Sequence, residues 1–331
     1  MAIQSSELTW RYAALTSDVT PAQNGGRMTT TAIPSGTASN LFPAVTQAQR
    51  TTGAVQYRKD FLHVASAEDI ALQDVKIFIA EPTAAADWFT FAPGTPTDTQ
   101  ATMAGAAYGS AALAGALLAG ATTASLTPEN IASATALNIF RVGQLVRISS
   151  EGPEAETSAT SYATLSAVAY TGAAIDITFA PALPVGHAFG ARVVGVYQPG
   201  SVQAAVGVPS VTSAAGTCAG AGLATHNKGG LPQNWTLTFT SATAYTIAGD
   251  TLGSIGTGTT TSDTAPANPG TSSPYFTLLS TAWGGTFAAA DTVTFTTTAA
   301  AVPLWWRREV PAGCPSLTNN YLDRYATGES A

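Results

Sequence analysis

Between Gln56 and Thr95 the chain alternates apolar and polar residues with a period near two, and no other feature restricts its fold as strongly. The stretch reads Gln-Tyr-Arg-Lys-Asp-Phe-Leu-His-Val (56–64), Asp-Val-Lys-Ile-Phe-Ile-Ala-Glu-Pro (74–82) and Asp-Trp-Phe-Thr-Phe-Ala-Pro-Gly-Thr (87–95). Tyr57, Lys59 and Phe61 fall on one parity, as do Val75, Ile77 and Ile79, and Gly53, Pro82, Pro93 and Gly94 bound the pieces. β-Branched and aromatic residues with this alternation predict half-buried antiparallel strands. A fourth piece of the same texture, Pro303-Leu-Trp-Trp-Arg-Arg-Glu-Val-Pro-Ala-Gly313, lies about two hundred residues downstream. The two stretches read as one sandwich interrupted by inserted material.

The chain is therefore expected to be all-β and multi-domain, an Ig-like parent sandwich carrying two inserted β modules. Residues 1–50 lack sustained periodicity and read as an extended N-terminal arm. Residues 51–100 with 301–331 make the parent. Residues 121–200 form a small β-barrel module with a short helix at Asn130–Leu137, and residues 203–300 a Thr-rich β-sandwich module. Charge agrees with this division. Of 13 basic residues 9 lie in 1–100 and 301–331, as do 12 of 20 acids, so the insertions are nearly bare. The Ala/Gly-rich run 111–120 lacks basic flanks and has few large apolar residues, so it is read as an ordered linker rather than a membrane span.

Only 10% of residues are charged, against about 25% in an average domain, and Ala, Thr, Gly and Ser fill the difference. Such a surface suits an extracellular or virion protein. The net charge of −7 argues against a nucleic-acid-binding face, which needs clustered Lys and Arg. Cys218 and Cys314 read as two free thiols, since one bridge makes no disulfide scaffold. The N-terminus has no basic region followed by an apolar one, so no secretory leader is expected.

The usual signatures of chemistry are missing. His63, His187 and His226 lie far apart with no Cys or His at ligand spacing, so no zinc site is expected. Lys228 lacks the glycines of a phosphate loop, and Gly-Ser-Ile-Gly at 253–256 is not a nucleophile elbow. A Ser-His-Asp triad assembles in space and leaves no spacing signature. Asp69, Asp74, Glu81 and Asp87, and likewise Glu151, Glu154 and Glu156, read first as solvated acids and second as cation or glycan contacts. The expectation is a non-enzyme without cofactor or metal. Candidate subunit-interface residues are Trp10, Tyr12, Leu41 and Phe42 on the arm, with Trp305 and Arg307 downstream. Adjacent strand residues face opposite sides, so Trp305 and Trp306 either split between core and surface or are both buried against an insertion.

Several stretches resemble a family of virion structural proteins of long-tailed bacteriophages, Mu-like siphophages included. They are Gly25-Gly-Arg-Met28, Gln49-Arg-Thr-Thr-Gly53, Tyr57-Arg-Lys-Asp-Phe61, Val75-Lys-Ile-Phe-Ile79, Phe91-Ala-Pro-Gly-Thr95 and Arg307-Arg-Glu-Val-Pro-Ala-Gly313. Trp235-Thr-Leu-Thr-Phe, Pro274-Tyr-Phe-Thr-Leu278 and Trp283-Gly-Gly-Thr-Phe287 are similar to a β module of the same group. The resemblance implies a tail or virion component, first of all a tail-tube subunit whose rings stack into a DNA conduit. Its partners would be copies of itself and other tail proteins, with DNA only as transient cargo. It would be assembled in the host bacterial cytoplasm and reside in the virion tail. The alternatives are a baseplate or distal-tail protein or a capsid-decoration protein, with a glycan- or receptor-binding role for the third module.

Overall fold

The computed structural model describes residues 2–150, 159–318 and 320–331. Glu151, Glu154 and Glu156 lie outside the described residues. The first strands are β1 (Leu8–Leu15), β2 (Gly25–Ala32), β3 (Ala54–Val64), β4 (Leu72–Glu81) and β5 (Trp88–Pro93), with helix α1 (Gln47–Thr52) before β3. Thr46 and Gln49 form a reciprocal capping box at the start of α1. Gly53, at φ 79°, turns the chain out of the helix and into β3.

The second group is β6 (Ser110–Leu113), β7 (Thr123–Thr127), helix α2 (Ile131–Leu137), β8 (Leu145–Ser149), β9 (Thr160–Tyr170), β10 (Ile175–Ala180) and β11 (Arg192–Val202). The third is β12 (Ala205–Val206), β13 (Ser210–Thr212), β14 (Thr217–Cys218), β15 (Leu223–Thr225), β16 (Gln233–Phe239), β17 (Ala244–Gly249), β18 (Gly253–Thr259), β19 (Ala267–Asn268), β20 (Ser273–Pro274), β21 (Phe276–Leu278), β22 (Trp283–Gly284) and β23 (Thr292–Thr298). β24 (Ala301–Val310) and β25 (Asp323–Ser330) close the chain.

The fold is all-β with several sheets. A five-stranded sheet runs β2-β1-β3-β24-β5. β24 lies between β3 and β5, and its full length pairs with β3, from Ala301 opposite His63 to Val310 opposite Ala54. The downstream piece thus returns to the parent, as its texture predicts. Facing this sheet is the ladder β25-β4-β11, and Leu62, Val64, Val75, Ile77, Phe91, Leu304 and Trp306 fill the space between.

Residues 1–50 are not a free arm. β1 pairs with β3 from Leu8 opposite Val64 to Tyr12 opposite Asp60, and β2 extends the sheet beyond it. Register shifts in the β1–β2 ladder interrupt its pairing, which explains why no clean alternation is visible there. A second correction concerns β3, which is not half-buried: every residue from Arg58 to Val64 is buried. The five-stranded sheet is covered on both faces, by β4 and its neighbours on one side and by the third module on the other.

The second group closes into a six-stranded antiparallel barrel, β11-β6-β7-β10-β9-β8 and back to β11. It begins at Ser110 rather than at 121: the run read as a linker starts with barrel strand β6. Leu126, Ile148, Leu165, Ile177, Phe179 and Val193 fill the barrel, together with Trp88 from β5. β11 belongs to two bodies. Arg192 to Val196 pair with β8, whereas Tyr197 to Val202 pair with β4 of the parent. Helix α2 starts where the sequence places it, with the Asn130 side chain accepting a bond from Ser133 N.

In the third module β23, β16, β17 and β18 form the main sheet, with β12 and β13 along the outer side of β23. Val293, Phe295 and Thr297 are buried while Thr294, Thr296 and Thr298 are exposed, so threonine supplies the solvent face of a half-buried strand. Segments carrying the short ladders β14–β22, β15–β21 and β19–β20 complete the module, and Trp235, Phe276, Tyr245 and Phe239 form its aromatic core. That core continues into the parent through Ala13, Met28 and Phe61.

Candidate functional site

The residues expected to meet another subunit are largely engaged within the chain. Phe42 is buried, packs edge-to-face on Phe89 with centroids 5.5 Å apart, and lies under the guanidinium of Arg308 at 4.9 Å. Leu41 packs partly buried on the same core. Half-buried Trp10 carries the Arg324 guanidinium 4.0 Å from its ring centroid, and the Tyr12 hydroxyl donates to Asn40 O at 2.5 Å. Trp305 and Trp306 do face opposite sides of β24, yet both are buried. Trp305 Nε1 donates to Asp98 Oδ2 at 2.9 Å, and its ring lies so close to Gly25 that a Cβ there would overlap it. Arg307 is tied to Glu309 on its own strand at 2.7 Å. Trp305 is enclosed because both faces of its sheet are covered within the protomer, and Phe42 because Phe89 and Arg308 close over it.

What sequence reading missed is the internal use of charge. Asp60 has no solvent exposure, accepts from Trp306 Nε1 at 2.9 Å and is paired with Arg324 of β25. On the other face Lys59 donates to the carbonyls of Gly26 (2.7 Å), Thr95 (2.8 Å) and Asp98 (3.0 Å), and its ammonium lies 2.6 Å from the Asp98 carboxylate. Four acceptors around a buried ammonium are what keeps such a charge tolerable. Burial still lowers the proton affinity of Lys59.

Histidine and carboxylate side chains tie the third module to the parent. Arg11 Nε donates to His63 Nδ1 at 2.8 Å, and His63 Nε2 lies 2.8 Å from Asn227 O. The ring is thereby fixed as the neutral tautomer with its proton on Nε2. Burial, and then the neighbouring Arg11 charge, push His63 down to about 4. Nearby, Thr277 Oγ1, His226 and Asp69 form a chain, with Nε2–Oγ1 2.8 Å and Nδ1–Oδ2 2.7 Å. The order is that of an acyl-transfer triad. Its surroundings are those of a clip. Asp69 Oδ1 accepts from Asn227 N at 2.7 Å, the Asn227 amide donates to Ile70 O at 2.8 Å, and Thr277 sits mid-ladder opposite Ala224. Asp69 and His226 are 157 positions apart, so no sequence spacing could have joined them.

A second clip is Arg27–Asp250, bidentate at 2.5 and 2.7 Å, with Asn234 donating to both carboxylate oxygens. The Arg27 guanidinium holds Asp250 at about 2. Asp250→Asn is expected to cost about 0.5–1 kcal/mol at neutral pH, the range of a partly exposed pair. Because Asp250 titrates lower in the folded chain than in the unfolded one, its contribution is complete above about pH 4 and is lost as pH falls through about 2. Melting temperatures of wild type and variant should differ at neutral pH and converge near pH 2; a gap constant across that range would show that charge is not what the pair contributes.

Among the described residues no group of three His, Cys, Asp or Glu is arranged to hold a metal ion, and no helix is long and apolar enough to cross a membrane. Cys218 and Cys314 are free thiols, and burial pushes Cys218 up to about 11. An open groove of about 640 Å³ runs over the barrel wall, lined by Thr123, Ser125, Ala167, Ala169, Asp176 and Thr178 among others. At the barrel end away from the parent, Leu118 and Phe189 stand exposed on loops that bond to each other through Leu117 and His187. Comparison of the chain with protein-family models, curated proteins and solved structures returned no match.

Proposed function

We propose that the chain is a structural, non-catalytic subunit of a bacteriophage virion that assembles with copies of itself, the tail tube being the first position to test. The observation that carries this reading is the internal use of charge. Lys59, Asp60, Arg58, Arg308 and Arg324 are committed to contacts within the chain, while much of the outer surface is Thr, Ser, Ala and Gly. A body fused in this way offers rigid, weakly charged faces suited to large permanent contacts, on the order of 2,000 Å² or more. The phage-like stretches of the sequence support the virion assignment. The net charge of −7 suits a conduit through which DNA passes without sticking.

A baseplate, distal-tail or capsid-decoration position is favoured by one specific observation. The N-terminal stretch, which a tube subunit would use to staple successive rings, places β1 and β2 in the protomer's own sheet. Support for a glycan-binding module is reduced, because Trp235 is buried and Trp283 packs on Phe239, Tyr245 and Phe287. Half-buried Trp283 does line a hollow of about 260 Å³ with Thr243, Ser280 and Thr286. Electron microscopy of the purified chain over a concentration series tests the assignment. Rings or tubes with an open bore are expected for a tube subunit. Monomers at every concentration would overturn self-assembly and favour a subunit that needs another virion protein as its surface.

A further inference from the structure

The outer edges of the sheets differ in how they are closed. β2 is covered at its start, where Gly26 N donates to Asp98 O at 2.8 Å and Gly25 bridges Thr99, and further along, where Gly270 packs on Thr30. The free side of β5 is taken by Tyr108, which exchanges both backbone bonds with Phe91 at 2.9 and 2.6 Å. β25 carries Asp323, Arg324 and Glu329 and two register shifts. β12 and β13 are two and three residues long with Pro209 between them. These are the devices by which proteins stop edges from pairing with other chains.

β18 has almost none of them. Gly253-Ser-Ile-Gly-Thr-Gly-Thr259 holds no charge and no proline, and Thr260, Thr261 and Ser262 extend the uncharged run to Asp263. Its backbone pairs with β17 alone, and Gly253, Ser254, Gly256 and Thr257 are exposed. One bulge, at Ile255, separates the pairs Ala248–Ser254 and Ile247–Gly256, and beyond it the register runs unbroken to Thr259. A row of unpaired main-chain donors and acceptors with small neutral side chains accepts a further strand without steric or charge penalty.

We propose that β18 is an interface strand that pairs with β18 of a second copy of this chain, antiparallel about a two-fold axis. The partner follows from the edges of the larger sheets: among the described residues β2, β5, β25, β12 and β13 are covered, charged or broken, so the bare edge a second copy offers there is this same strand. An isologous contact of this kind is self-complementary and closes at the dimer. β18 itself carries no charge, so no like-charged pair falls within the ladder. The inference rests on the self-assembly reading above and supplies one contact between copies; because that contact closes at the dimer, a ring or tube would need a second, heterologous one.

Sedimentation velocity over a concentration series, on the full chain and on Thr257→Lys and Thr257→Pro, tests it. Wild type should form a reversible dimer. Thr257→Lys should raise the dissociation constant about tenfold or more, since it sets a lysine from each copy close to the other across the new ladder. Thr257→Pro should abolish the dimer by removing a backbone donor. The lysine variant should melt within about 2 °C of wild type, because its position is exposed, and it decides the matter alone should the proline variant fail to fold. Undiminished association of a folded Thr257→Lys chain would overturn the β18 contact and leave self-assembly standing. A wild-type chain that stays monomeric throughout would overturn both.

Discussion

Arg324→Met is expected to lower the unfolding free energy by about 3–5 kcal/mol, the cost of stranding a buried carboxylate. Asp60 has no solvent exposure, and without Arg324 its remaining side-chain partner is Trp306 Nε1. The loss has two routes: the carboxylate stays charged in a site of low polarity, or it takes up a proton at a cost. Either should appear as a lower denaturation midpoint in urea with an unchanged slope. The pair is not expected to stabilise by itself. The double variant Asp60→Leu with Arg324→Met should recover much of the loss, because an apolar pair of similar volume removes the desolvation penalty from both sides. What the ion pair supplies is registration: Arg324 is the residue of β25 that must find Asp60 on the facing sheet. A single variant within about 1 kcal/mol of wild type would contradict the burial on which this rests.

Deletion of residues 2–33 should abolish folding of the parent sandwich rather than release an appendage. The deletion removes β1 and β2, leaving one side of β3 unpaired over five residues. It also takes Arg11 from His63, the Gly26 carbonyl from Lys59, and Ala13 and Met28 from the core shared with the third module. Each buried polar group left without its partner costs about 1–3 kcal/mol, and these losses, added to the unpaired β3 backbone and the vacated core, reach the roughly 5–15 kcal/mol by which domains are stable. Circular dichroism and limited proteolysis of the truncated chain provide the readout. A free staple would behave in the opposite way, leaving the melting temperature unchanged while assembly is lost.

Strands were legible where one face is wet. The alternation in β16 and β23, with threonine outward and valine or aromatic residues inward, carries its own answer. β4, β5 and β24 were legible through their β-branched and aromatic runs bounded by Pro and Gly. β3 was read as a strand for a reason that fails in detail: Arg58, Lys59, Asp60 and His63 look like a solvated face and are all buried. Polar residues in a strand indicate water only when nothing else in the chain can pair with them, and here Asp18, Asp98, Arg324 and Arg11 do. Those partners are 40, 39, 264 and 52 positions away, beyond any local pattern. β9, an 11-residue strand whose only aliphatic residues larger than alanine are Leu165 and Val168, went unread because its exposed positions are Thr164, Ser166, Ala167 and Ala169, which blur the contrast that alternation needs. The same weakness hid the clips at Asp69–His226 and Arg27–Asp250, since a lone charge in a charge-poor segment looks like solvated surface until its partner is placed.

The division of β11 between two bodies has a mechanical consequence. Its first half is a stave of the barrel and its second half a member of the parent ladder, so the two bodies share one strand. A pull on the far loops of the barrel is delivered along the strand axis into the β4 pairing, loading its hydrogen bonds together in shear rather than peeling them one at a time. Strain on an outward-facing module is thereby carried into the centre of the molecule as if along a tie rod.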